Sequence, residues 1–292
     1  MAAHLQPRIH LLVIDPQNDF CDLPDAWRPL DPISGKALAP ALPVPGAHAD
    51  LQRVAGLIRS AGAGLSDITI TLDSHHRVDI AHPPFWTQAD GSAVMPFTPI
   101  TAAQVRAGAY RPREATALPR TLAYLDELEA RGRYTLMVWP VHCEIGSWGH
   151  GVHAGLHDAY AGWEAERLVN VAKVTKGENT WTEHYSALLA EVPDADDDRT
   201  QLNSELLQRL ADADCILVAG EAGSHCVKAT IEHLAEQLGP DGTRRITLLT
   251  DAMSPVAGFE SLQQAFLADI QSRGATLATT AQALPQLQAA AG

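Results

Sequence analysis

What most constrains this chain is a repeating alternation of short, nearly continuous apolar segments with stretches of helical spacing. The apolar segments lie near 8–14 (RIHLLVI), 67–72, 134–138, 168–174 (LVNVAKV), 214–219 and 245–250. Apolar residues recur every three or four positions near 48–62, 119–132, 150–165, 183–191, 202–212, 224–238 and 259–273, which predicts helices there. Strands that are apolar on both faces need cover on both sides, and amphipathic helices supply it. The expected fold is therefore α/β, a three-layer sandwich with a six-stranded parallel sheet flanked by helices on both faces. A length of 292 residues allows two domains. The alternation is unbroken, however, so a single domain over 1–292 is expected, with irregular Pro-rich insertions at about 22–47 and 77–118.

In an open parallel sheet the carboxyl ends of the strands share one edge, and ligands bind there. Asp15 follows the first segment, Lys176 the fourth, and Cys226 the tight turn Gly220–His225 after the fifth. Cys226 also opens a helical segment. Its thiol would lie at the positive end of the helix dipole, with turn amides aimed at the same spot, a place that favours thiolate and could hold an oxyanion. Each residue has a plainer use too. Asp15 suits a cap for the Pro16–Gln17 turn, Lys176 a solvated surface, and a lone cysteine ordinary packing. His225 adjoins Cys226, but neighbours on a helix point in different directions, so it reads as pocket wall or packing.

Asp73 and His75 form a D-x-H at the end of the second segment, on the same side of the chain. His142 follows the third segment. One carboxylate with two imidazoles suits a single divalent transition metal at a catalytic site, zinc first, with iron or manganese as alternatives. Two hydrogen-bonded histidines at a sheet edge are the competing reading. His82, nine residues after Asp73, is a candidate fourth ligand. His76 reads as solvent-facing, and Cys143 as a packed thiol.

Composition narrows the class of partner. The net charge of −14 and the acidic run Asp194–Asp198 disfavour nucleic acid. The four cysteines show no disulfide-scaffold or CxxC spacing, which points to a reducing, cytoplasmic setting. No signal peptide is evident, and no apolar run approaches the roughly 18 residues of a membrane span.

The ordered pieces LLVIDPQNDF (11–20), TLDSH (71–75), WPVHC (139–143), KGEN with HYSAL (176–179, 184–188) and AGEAGSHCVKAT (219–230) give the chain a specific likeness. It resembles the isochorismatase-like cysteine hydrolases, and within them the nicotinamidase/pyrazinamidase branch. The resemblance implies a catalytic triad of Asp15, Lys176 and Cys226; Lys176, not Lys173, takes the lysine role because the family's lysine directly precedes glycine. It implies an oxyanion hole from the backbone N–H groups of Ala222 and Cys226, with a cis peptide between Glu221 and Ala222. It also implies a metal held by Asp73, His75 and His142 that accepts a pyridine ring nitrogen. The activity implied is hydrolysis of a small pyridine-type carboxamide, such as nicotinamide, to acid and ammonia through a thioester. The partner expected is thus a small-molecule amide, in a homo-oligomeric enzyme. A second reading is a cysteine amidohydrolase of the same fold acting on a ureido, carbamoyl or aliphatic amide, and a third is a non-catalytic binding protein.

Several features depart from the family's pattern. His142 lies 67 positions after His75 where compact members need only a few tens of residues or fewer. The turn before the cysteine reads Gly-Ser-His, not the common Thr-Asp-Tyr, and Ser74 stands where an aromatic is usual. The two insertions suit a pocket roof, padding or a contact between copies. Phe20, Trp86 and Trp181 are the aromatic residues expected to wall the substrate pocket.

Overall fold

A computed structural model describes residues 6–291. The elements, in chain order, are β1 (Ile9–Ile14), α1 (Ala47–Ala61), β2 (Asp67–Asp73), β3 (Trp86–Gln88), β4 (Thr98–Ile100), α2 (Ala102–Arg106), β5 (Tyr110–Pro112) and α3 (Leu118–Arg131). Then come β6 (Leu136–Val138), α4 (Ala154–Arg167), β7 (Ala172–Lys176), α5 (Ser204–Ala211), β8 (Cys215–Gly220), α6 (Cys226–Thr243), β9 (Ile246–Leu249), α7 (Glu260–Ser272), β10 (Thr276–Ala278) and α8 (Thr280–Ala290). The main sheet has six strands in the order β10-β9-β8-β1-β2-β7, with every pairing parallel.

The alternation within β1 shows why both faces are covered. Leu12 and Ile14 pack with α5, α6 and α7 residues such as Leu206, Ile231 and Ile270. Ile9, Leu11 and Val13 pack on the other face with Leu51 of α1, Trp163 of α4 and Leu287 of α8. The expected three-layer sandwich is the fold, but its sixth strand is β10, not the 134–138 segment. That segment yields β6, which pairs antiparallel with β4 from the second insertion. Leu136 and Val138 bury into a third apolar cluster with Trp86, Ile100, Val105 and Leu125, so the insertion supplies its own small core. β10 went unforeseen because three edge residues carry no periodic signal.

The helix expected at 183–191 is absent; this stretch is irregular although nearly all of it is buried. Its backbone is committed elsewhere. The His184 carbonyl accepts from Lys176 Nζ, Ala187 N–H donates to Thr230 Oγ1, and Glu191 N–H donates to the Glu183 carbonyl. The fourth segment also starts later than expected, since Leu168 forms the left-handed cap of α4 and is exposed.

Gly220 ends β8 with φ +112°, and a Cβ there would meet the Ile14 carbonyl oxygen at 2.0 Å. Backbone cannot yield as a flexible side chain would. Gly220→Ala is therefore expected to destabilise the protein by about 3 kcal/mol or more, read from the denaturant midpoint. An unchanged midpoint would show that β1 and β8 part at no cost.

Candidate active site and metal centre

Asp15 follows β1, Lys176 closes β7, and Cys226 is the first residue of α6, so three connections bring these side chains together at one sheet edge. The Lys176 ammonium is fully enclosed and lies 2.9 Å from Asp15 Oδ2 and 2.9 Å from Asp73 Oδ1. It also donates to Cys226 Sγ at 3.6 Å and to the His184 carbonyl at 3.0 Å. Thr71 fixes the aspartate from β2: its hydroxyl donates to Asp15 Oδ1 at 2.5 Å and accepts from the Asp15 N–H at 3.0 Å. Asp15 Oδ2 has the ammonium beside it but no hydrogen-bonding partner among the described residues. Lys173, by contrast, projects outward over Tyr160 and towards Glu164.

The electrostatics revise one expectation. Burial pushes the Cys226 thiol well above its ordinary range; Lys176 pulls it down, while Asp15 and Asp73 push it up again. Burial likewise raises the Asp15 carboxyl against the opposing pull of Lys176. Burial thus works against the thiolate that the helix terminus alone would favour. Burial opposes the charge on Lys176, yet Asp15 and Asp73 hold the ammonium well above its usual range.

The peptide between Glu221 and Ala222 is cis. The amides of Ala222 and Cys226 donate to no carbonyl among the described residues, so both are available to an oxyanion.

The second constellation adjoins the first through Asp73. While its Oδ1 faces Lys176, its Oδ2 lies 3.0 Å from His75 Nε2 and 3.2 Å from His142 Nε2. His142 arrives by an unexpected route. Although β6 is outside the main sheet, the chain after it runs beside the extension of β2, where the His75 N–H donates to the Cys143 carbonyl and the Ile145 N–H to the His75 carbonyl. His82 joins the group: ligand atoms of His75, His82 and His142 all lie within 4.8 Å of one another, and all three are buried. His76 is exposed, but its carbonyl accepts from His82 Nδ1 at 3.1 Å.

The donor set fits a divalent cation. Asp79 holds His75 Nδ1 at 3.2 Å, leaving its Nε2 to Asp73, while His142 Nδ1 meets the Pro140 carbonyl at 2.8 Å and His82 Nε2 at 3.2 Å. The local field favours positive charge. Burial works against the His75 imidazolium, yet Asp73 and Asp79 keep it well above its usual range. Burial, with His142 and His75, pushes His82 down to about 2, so it offers a neutral ring.

Residues of both constellations line a narrow cavity of about 20 Å³. Asp73, His142, Glu183 and Cys226 supply its polar lining, and Phe20, Trp139, Tyr185 and His225 its aromatic walls. Trp139 Nε1 donates to Tyr185 Oη at 3.0 Å, and His225 packs edge-on against Trp139. Of the three aromatic residues expected here, Phe20 is present and two are not. Trp86 is enclosed in the third cluster, its indole N–H donating to the Ile80 carbonyl, and Trp181 lies under the Arg120 guanidinium over a separate hollow. Both belong to the insertion's own core.

Sequence reasoning also missed the side chains that position the site. Gln17 clamps Asp73 from both sides, its Nε2 donating to the Asp73 carbonyl and its Oε1 accepting the Asp73 N–H, each at 2.7 Å. Asp19 accepts the Cys143 N–H at 2.7 Å and so anchors the loop carrying His142. Both lie within LLVIDPQNDF, and two polar side chains this close to a core strand were the available signal.

No family profile matches the chain. No curated protein matches it in sequence. Its structure is similar to that of the yeast nicotinamidase bound to the inhibitor nicotinaldehyde, with 19% identity, 93% of this chain and 99% of that chain covered, and a TM-score of 0.60. It is similar to a pyrazinamidase of Pyrococcus horikoshii in complex with zinc, with 17% identity, 94% and 99% covered, and a TM-score of 0.50. An isochorismatase-like hydrolase from Alkaliphilus metalliredigens is also similar, with 14% identity, 95% and 98% covered, and a TM-score of 0.51. The chain thus shares the α/β fold of these nicotinamidase, pyrazinamidase and isochorismatase-like hydrolase structures.

Proposed function

We propose that this protein is a metal-assisted cysteine amidohydrolase that converts a small pyridine-type carboxamide, such as nicotinamide, to the acid and ammonia. The observation that carries this reading is the position of Lys176, one buried ammonium in contact with the base, the nucleophile and the carboxylate of the metal group. Asp15 Oδ2 takes the Cys226 proton as Sγ adds to the amide carbonyl, and the amides of Ala222 and Cys226 hold the resulting oxyanion. Asp15 then gives that proton to the departing nitrogen as the C–N bond breaks, leaving a thioester. Water, deprotonated by Asp15, hydrolyses the thioester, and the proton returns to Cys226. Lys176 offsets the aspartate's charge in this fully buried setting whenever the carboxyl is ionised.

Asp73, His75 and His142, with His82 as fourth, would hold a divalent transition metal, for which three imidazoles and a carboxylate favour zinc over iron or manganese. When bound, it supplies a Lewis-acid position for a ring nitrogen. The aromatic walls suit a flat ring. Solved proteins of this fold include one with nicotinaldehyde and one with zinc, which supports both parts of the reading.

The test is ammonia release from a panel of amides. Nicotinamide has a ring nitrogen meta to its carboxamide and benzamide has none, so kcat/KM for nicotinamide is expected to be higher by at least about tenfold, equivalent to ~1.4 kcal/mol in the transition state. Equal rates, or turnover confined to ureido or aliphatic amides, would replace this reading with the broader amidohydrolase one.

A further inference from the structure

The cavity contains one carboxyl group that the proposed chemistry does not use. Glu183 is 4% exposed and lines the same space as Cys226 and His142. Its Oε1 accepts the His184 N–H at 3.1 Å, while its Oε2 is enclosed with no hydrogen-bonding partner among the described residues. A buried carboxyl oxygen without a partner costs about 1–3 kcal/mol, more when charged, so a ligand that satisfies it gains selectively. The segment around it is irregular, held by the Tyr124 hydroxyl on the Glu183 N–H and by the Lys176 contact to the His184 carbonyl. The side chain is therefore fixed in place.

Resting on the function proposed above, we infer that Glu183 is a specificity-determining residue that accepts a hydrogen bond from an N–H on the substrate. The preferred substrates are then heteroaromatic carboxamides carrying an amino or ring N–H donor as well as the scissile amide, with nicotinamide the stripped-down member of the class. Because the His184 N–H holds Oε1, a glutamine at this position would keep its carbonyl oxygen there and place its NH2 where Oε2 now stands. Glu183→Gln thus exchanges an acceptor for a donor at almost constant shape.

The experiment compares kcat/KM for nicotinamide with its ring-amino isomers and their dimethylamino counterparts, which lack the N–H. At least one amino isomer is expected to exceed nicotinamide by about tenfold or more in the unmodified protein, and to lose that advantage on dimethylation. In Glu183→Gln the amino advantage is expected to vanish or invert. An unmodified protein that prefers no amino isomer overturns the inference, as does an advantage that survives in the variant. The dimethyl comparison decides the matter without the variant should Glu183→Gln not fold. Release of ammonia from nicotinamide with no amino preference refutes this inference alone. No release from any heteroaromatic amide refutes the function on which it rests.

Discussion

Cys226→Ala is expected to abolish ammonia release from every amide, by at least about 10⁴-fold in kcat, with the fold intact. The thiol makes the bond to carbon, and its loss removes only a small buried group. Lys176→Ala is expected to be as inactive and also unstable, by about 3–5 kcal/mol, because Asp15 and Asp73 would remain buried without their shared counter-charge. The denaturant midpoint therefore separates two equally dead variants. Asp15→Asn should also be inactive, yet it should speed alkylation of Cys226 by iodoacetamide, since it removes a negative charge that raises the thiol. A double variant should be little worse than either single one, because members of a catalytic unit act together. Turnover surviving in Cys226→Ala would remove the cysteine from the mechanism altogether.

The metal group gives the second large effect. Purified protein is expected to carry about one transition metal per chain, and His142→Ala to release it, as measured by elemental analysis. Stripping the metal should lower kcat/KM for nicotinamide by about 10²-fold or more, with most of the loss in KM, because in the proposed mechanism the metal would orient the ring while the thiol performs the chemistry. Asp79→Ala is the subtler test. Asp79 touches His75 and not the inward-facing donors, so its loss should weaken metal affinity by about 10–100-fold without removing a ligand. Full activity in metal-free protein would show that the cluster is a hydrogen-bonded network and not a metal centre.

These outcomes rest on features of unequal legibility in the sequence. The parallel sheet was readable because its central strands are apolar on both faces, and β1, β2 and β8 announce that within a few residues each. The positions of Asp15 and Cys226 followed, since a residue that ends a strand of such a sheet must lie on the ligand edge. Lys176 was read as the residue after a strand; it is the last residue within one, with Lys173 on the same strand facing out.

The sequence by itself therefore determined the layers and the edge on which Asp15 and Cys226 lie, because strand and helix periodicity are local properties of the chain. The tertiary structure alone decided the rest. It placed β6 with the second insertion instead of the sheet, brought His142 back beside the β2 extension, removed Trp86 and Trp181 from the pocket, and turned Glu183 into it. It also kept 183–191 from forming a helix, because the His184 carbonyl that a helix would use is committed to Lys176. Each of these depends on contacts between distant segments, where a buried polar group takes whichever partner the packing brings within reach. Burial had the same kind of effect on the thiol: the helix terminus is written in the sequence, but the desolvation that raises the Cys226 thiol exists only in the folded protein.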